Sequence, residues 1–311
     1  MYDTFNFKLD CNHFDYNHIK RIFEDKMQFK CKTEYTNGFT IRVNYKNYSF
    51  SLSRKYLKAN GSLTKLYHGN NLQNLKFSQV QDVLLQFESL FEIPFDKAIV
   101  TRVDLAACMF MDNPTHLYLD LLTTPSNYKP IIRNTSKQFE NSQRTLVFYD
   151  KVAEARSKDV VCYKKYKNEH VLKFELRYES DLATNLGLRD TTFKNFYNPE
   201  VYKTLVNKWY QGYKDVPKLT IVQPSQFNYY SLHCFKQSLI EEGVKSLGGI
   251  EILQANMNKQ KIKKSVKFLI KKYLDSFTNV APLSPILQSD LDAKIHSIYV
   301  NELCHLSPSN T

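Results

Sequence analysis

The cysteine pattern of a stapled or zinc-bound protein is missing from this chain. Its cysteines stand at 11, 31, 108, 162, 234 and 304, widely and irregularly spaced and without a CxxC pair. That excludes a small secreted disulfide scaffold and a structural zinc site, and leaves reduced thiols in a cytosol. No run of 18 apolar residues occurs, and the start MYDTFNFKLD shows no basic region followed by an apolar one. A soluble, cytoplasmic chain with no membrane partner is therefore expected. There is no internal repeat, and no Gly, Ser or Pro tract interrupts the first two thirds, so 311 residues should fold compactly as one large domain or two ordinary ones.

Acid is in short supply: 31 Asp and Glu stand against 43 Lys and Arg, a formal net charge of +12. Such a balance favours polyanionic partners, nucleic acid first among them. Tryptophan occurs once, yet there are 21 Tyr and 21 Phe mingled with Lys and Asn. Tyr and Lys together suit stacking of bases and neutralising of phosphates along a single strand. The codon usage of an A/T-rich genome gives the same enrichment without any function.

Three stretches alternate in a way that points to chemistry. In QRTLVFYDKVAE, strand periodicity turns Leu146 and Phe148 to one side and Thr145, Val147, Tyr149 and Lys151 to the other. In TRVDLA, Arg102 and Asp104 oppose Val103 and Leu105; in LKFELRYE, Lys173, Glu175 and Arg177 oppose Leu172, Phe174 and Leu176. Half-exposed antiparallel strands alternate like this merely because one face meets water. The agreement of all three favours a shared polar face carrying two carboxylates, a phenol and several cations, a set suited to cutting a phosphodiester. A free phenol titrates near pH 10 and is a poor nucleophile unless its phenolate is stabilised, as a neighbouring ammonium such as Lys151 would do. Asp104 and Glu175 are hard oxygen donors suited to Mg or Mn.

These stretches, with KLYHGNN and a helical segment ahead of TRVDLA and with SDLATNLGL after LKFELRYE, resemble the filamentous-phage gene II/X replication proteins in order and approximate spacing. Those are rolling-circle initiators, similar in turn to plasmid replication initiation factors with a like YDK element. The resemblance covers roughly residues 65–188. It implies that Tyr149 attacks an origin phosphate, forms a 5′-phosphotyrosine link, frees a 3′ hydroxyl for a host polymerase, and later rejoins the strand. It implies single-stranded or supercoiled origin DNA as substrate, a host helicase as a further partner, and the cytoplasm of a bacterial host. Lys151 and Glu154 match family positions, the first for transition-state charge and the second for the metal or for orienting the lysine. The family tends to carry a histidine beside Gly and Asn in the KLYHGNN region, which makes His68 a candidate ligand. Here, however, the histidine precedes Gly69, and a one-residue shift on a strand reverses the face. No two histidines separated by one apolar residue occur, so a metal site would be led by Asp104, Glu175 and Glu154 or draw a histidine from afar. Arg102, Lys173 and Arg177 are candidate DNA contacts, as are Lys164 and Lys165 in the basic segment RSKDVVCYKKYKNEH. A non-catalytic DNA-binding regulator, or a relaxase or transposase with the same nicking chemistry, are the alternatives.

The expected fold is α+β: a central antiparallel sheet with one open polar face and helices on the other, then a smaller helical C-terminal region. Strands are expected at Tyr2–Leu9, in Met27–Tyr35, in FTIRVNY and YSFSLSRKYL with Asn37-Gly38 as a hairpin turn, and at Lys97–Met111. KLYHGNN should end a strand, and residues 123–143 should be polar and turn-rich. Helices are expected over His13–Asp25, Ser78–Phe91, Thr115–Leu122, Lys151–Arg156, Asp181–Leu188 and Pro199–Tyr213. Pro217 and Pro224 suggest a boundary between a nicking domain over 1–215 and a helical domain over 225–311. That second region should hold helices at Tyr229–Glu242, Ile250–Met257 and Lys259–Phe277, the last a lysine-rich one suited to DNA phosphates, followed by one more helix after Val280.

Overall fold

The computed structural model describes residues 1–25, 30–32, 40–158, 163–219 and 284–306. Among these, one sheet contains β1 (Tyr2–Asp10), β2 (Lys30–Lys32), β3 (Ile41–Tyr45), β4 (Tyr48–Leu52), β5 (Tyr56–Ser62), β6 (Ile99–Met111), β7 (Lys129–Arg133), β8 (Ser136–Glu140), β9 (Thr145–Asp150) and β10 (His170–Tyr178). The strand order is β2-β3-β4-β5-β1-β6-β10-β9-β8-β7, and every pairing is antiparallel. The architecture is α+β, as the alternation implies. The stretches that carry TRVDLA, LKFELRYE and TLVFYD become three adjacent strands, with β10 between β6 and β9.

The helices are α1 (Tyr16–Asp25), α2 (Leu63–His68), α3 (Phe77–Phe91), α4 (Thr115–Leu121), α5 (Lys151–Ser157), α6 (Tyr163–Tyr166), α7 (Leu182–Leu186), α8 (Pro199–Lys214) and α9 (Ser284–Cys304). Helix α3 buries Val80, Val83, Leu84, Phe87, Leu90 and Phe91, a stripe at helical spacing. Its rings meet the inward residues of β4: Phe91 lies 4.8 Å from Phe50 and Phe87 lies 5.0 Å from Tyr48, centroid to centroid. In the other half of the core, Phe148 stacks on Phe174 at 4.4 Å and Trp209 of α8 approaches Phe174 at 5.1 Å. Gly212 lets α8 lie close on β9 and β10, since a Cβ there would stand 3.2 Å from Leu146 and 3.7 Å from Leu176.

Helix α9 belongs to the same core. Leu287, Leu291 and Ile295, one turn apart, are fully buried in the cluster that holds Trp209 and Phe174. Three phenols bind it to the body: Tyr213 donates to Asp292 at 2.5 Å, Tyr118 of α4 to Asp290, and Tyr202 to Glu302. The end of the preceding described segment is fixed nearby, where Leu219 N–H donates to the Leu121 carbonyl of α4 at 2.7 Å. Thus the range 225–311 contributes at least this helix to the core under the sheet. Asn37-Gly38 and the helices expected at Tyr229–Glu242, Ile250–Met257 and Lys259–Phe277 lie outside the described residues.

Three local expectations are corrected. KLYHGNN does not end a strand: its KLYH part lies in α2, capped at its start by Ser62, whose hydroxyl accepts from Lys65 N–H at 3.2 Å, and at its end by Gly69 with φ +74°. YSFSLSRKYL is two strands, because Ser53 turns the chain with hydrogen bonds to and from Tyr56. Residues 123–143 are not merely turns but hold the β7–β8 hairpin, with Pro130 tolerated because β7 is the sheet's outer strand.

Candidate active site

Register sets the polar face. Opposed residues of an antiparallel pair point the same way, and β10 aligns Lys173 with Cys108 and Tyr149, Glu175 with Ala106 and Val147, and Arg177 with Asp104 and Thr145. The alternate positions, Phe174, Leu176, Phe148, Leu146 and Leu105, are fully buried on the core side. On β1 a register shift between Tyr2 and Phe5 leaves both rings in the core and turns Asp3 to the polar face.

The hydroxyl of Tyr149 donates to Glu175 Oε1 at 2.6 Å. The other oxygen, Oε2, accepts from Arg177 Nη2 at 2.5 Å and Nε at 2.9 Å. Lys173 Nζ, beside the same pair, binds Asp3 and lies 3.3 Å from Glu175 Oε1. Asp104 accepts from Arg102 Nε at 2.9 Å and Nη2 at 2.8 Å, while Arg177 Nε stands 3.9 Å away. Arg102 also reaches Glu179 at 2.6 Å. Arg177 therefore bridges the two acids, and phenol and carboxylates form one network.

Lys151 does not extend β9; it opens α5, with Asp150 as the cap accepting from Ala153 N–H at 2.8 Å. Its ammonium donates to Glu154 at 2.6 Å and stands 5.6 Å from the centre of the Tyr149 ring. Glu154 also accepts from Lys158. Lys164 and Lys165 are exposed on α6. His68, at the end of α2, has Tyr67, Asn74 and Gln79 as neighbours, and its Nε2 is buried without a hydrogen-bond partner among the described residues.

Between β6 and β10 the polar face is covered rather than open. Asp104 and Lys173 are each 2 % exposed and Glu175 is 5 % exposed. A small apolar cluster of Leu72, Cys108, Val152 and Val171, with Tyr166 against it, closes one end. Asn74 Oδ1 accepts from Cys108 N–H at 3.0 Å and ties down the chain ahead of α3. Lys173, read as a DNA contact, thus faces Asp3 and Glu175 and not solvent. Tyr149 is half-buried, with its hydroxyl turned inward.

Burial decides the protonation states except where a cation outweighs it. For Tyr149, burial pushes the phenol well above its ordinary value; Lys173 opposes this and Glu175 adds to it. Glu175 would rise by burial, but Lys173 and Arg177 hold it well below the usual carboxylate range. Lys151 is lowered by burial and then by the charge of Lys173, against Glu154. Asp104 goes the other way: desolvation outweighs the two-pronged Arg102 pair and lifts its carboxyl to about 6.

That last shift has a measurable sign. Between its unfolded value of 3.8 and about 6, native Asp104 holds a proton that the unfolded chain has released, so its contribution to stability falls as pH rises through that window. Glu175 acts at lower pH, where stability is lost as pH falls through its depressed value. Urea unfolding at about pH 4.5 and pH 7 should show wild type losing on the order of 1–3 kcal/mol relative to Asp104→Asn over that interval. Parallel losses in both proteins would refute the assignment.

Residues 1–198 match the family model for the N-terminal region of the replication-associated protein of phage gene II. The chain belongs to this family. No curated protein matches it. The gene II match includes all the described strands and ends at Asn198, the residue that caps α8 and accepts from Glu200 N–H at 2.9 Å. The family is one of phage rolling-circle replication initiators, which implies DNA as the partner of this gene II-family chain. Among the described residues no helix is long and apolar enough to cross a membrane.

Sequence reasoning missed Asp3 within the site. It sits in an expected strand, but its meeting with Lys173 depends on the register shift in β1 and on small Ala106 and Cys108 across β6, neither of which one strand's alternation reveals.

Proposed function

We propose that this gene II-family protein nicks one DNA strand at a replication origin with Tyr149 as nucleophile and later rejoins it. The observation that carries the reading is the Tyr149 hydroxyl, donated to Glu175 at 2.6 Å, with buried Lys173 alongside and Lys151 over the ring. In the step, the phenol oxygen bonds to phosphorus and the bond to the 3′ oxygen breaks. The phenol proton passes to Glu175, and the departing 3′ oxygen gains a proton, for which Lys151, 5.6 Å from the ring centre, is the donor in this reading. The phosphotyrosine conserves the phosphodiester's energy, so closure needs no ATP.

In the resting arrangement Glu175 is too weak a base to ionise a phenol raised by burial. Arg177 is the adjustable element, because it is a quarter exposed while its acid partners are buried. A substrate phosphate that draws Arg177 away from Glu175 raises the proton affinity of Glu175 where the phosphate docks. Arg102, also about a quarter exposed, is the second cation of this group within reach of a phosphate.

Mg or Mn dependence is a separate proposal. The oxygens of Asp104, Glu175 and Glu154 already accept from guanidinium, phenol or ammonium groups. Among the described residues no three His, Cys, Asp or Glu side chains converge as ligands, so this arrangement does not fit a cation without rearrangement. Both proposals are tested by incubating the protein with supercoiled DNA of its own replicon, with Mg, with Mn and with a chelator. A nicked product that migrates with protein on denaturing gels is expected; folded protein that leaves the cognate DNA closed under every condition refutes the nickase. Equal nicking in chelator refutes the metal.

A further inference from the structure

Register carries the polar face beyond Tyr149. Ser136 of β8 is opposite Tyr149, and Arg133 of β7 is opposite Ser136, so the three side chains stand in one row. The next row runs Val147, Gln138, Ile131. Over β6 and β10 this face is covered, but all of β7 is exposed. Arg133 has no ion-pair partner among the described residues, and Ile131 is 37 % exposed. Ile132, 63 % exposed, alternates to the opposite face.

We propose that the polar face of the β7–β8 hairpin holds the single strand of DNA flanking the phosphate at Tyr149, with Arg133 gripping its backbone and Ile131 lying against a base or sugar. This rests on the reading that DNA is held at Tyr149. Two strand spacings put Arg133 about 10 Å from Tyr149, close enough for nucleotides beside the reacting phosphate. Ser136 between them is small and leaves the row low. The charge is complementary: β7 begins and ends with exposed cations, Lys129 and Arg133, on the side of the sheet where the face is open. Sequence reading assigned nothing here, because it took these residues for a turn-rich connection.

The test uses the full chain carrying Tyr149→Phe, so that binding is read without cleavage. Affinity for a fluorescein-labelled single-stranded oligonucleotide is measured by anisotropy across a salt series. Adding Arg133→Ala should make the slope of log affinity on log salt shallower by about 0.7, the loss of one phosphate contact. Ile131→Ser should weaken binding severalfold with the slope unchanged, and Ile132→Ser should change neither. An unchanged slope for Arg133→Ala, or equal losses from Ile131→Ser and Ile132→Ser, overturns the proposal. So does a change of molar mass by light scattering with binding unaltered, which would make β7 an edge for a second copy of the chain. If wild type never nicks its origin but the slope shifts as stated, the nickase falls and the hairpin stands; nicking with an unshifted slope removes only the hairpin.

Discussion

Tyr149→Phe should reduce origin nicking by a factor on the order of 10⁴ or more, since it removes the only atom proposed to bond to phosphorus. No covalent protein–DNA product should form. The fold should hardly notice, because Glu175 keeps Arg177 at 2.5 Å and Lys173 at 3.3 Å after the phenol is gone. One hydrogen bond to a carboxylate costs about 1–3 kcal/mol, a modest loss read by urea unfolding. Affinity for single-stranded DNA should stay within about twofold, because the phenol adds no phosphate charge contact. A phenylalanine variant that nicks within about tenfold of wild type would remove Tyr149 from the chemistry. Loss of binding along with cleavage would make it a DNA contact instead.

Lys173→Met should produce the largest loss of stability. Its ammonium is 2 % exposed and answers two carboxylates, Asp3 at 5 % and Glu175 at 5 % exposure. Removing it leaves two buried acids facing each other with Arg177 as the remaining cation. Breaking a buried pair from one side typically costs about 3–5 kcal/mol, because an uncompensated charge remains in low dielectric. For a chain of this size the melting temperature should fall by about 10 °C. The double variant Asp3→Asn/Lys173→Met should recover much of that loss, which a thermal double-mutant cycle reads directly. Additive losses would mean that the two residues act independently. Lys173 is thus a positioning residue: it anchors Glu175, which in turn orients the phenol. The Lys173→Met variant should also shift the pH profile of nicking, because it removes a cation that holds Glu175 down.

Alternation alone makes the shared polar face legible in the sequence. Leu146 with Phe148, Val103 with Leu105, and Phe174 with Leu176 mark the core side so clearly that Asp104, Tyr149, Glu175 and Arg177 had to share the other. What alternation cannot give is depth. It distinguishes the two faces of a strand but not whether the polar one meets water, and residues ahead of α3 and in α5 and α6 fold back over β6 and β10. Nor does it give strand order, which brings Asp3 to Lys173 across β6. The β7–β8 hairpin escaped for a third reason: KPIIR carries a proline and flanking charges, an edge-strand composition that reads as loop. In KLYHGNN the serine cap lay before the stretch and Gly69 near its end, so a short helix was hidden between its own end signals.

The tyrosine–acid contacts of α9 give α4 a second duty. Leu219 leaves the body hydrogen-bonded to Leu121 at the end of α4, and Asp290 re-enters one turn away, on Tyr118 of the same helix. The described segment that ends at Leu219 and helix α9 are therefore both anchored on α4, so loosening that one helix would release both at once.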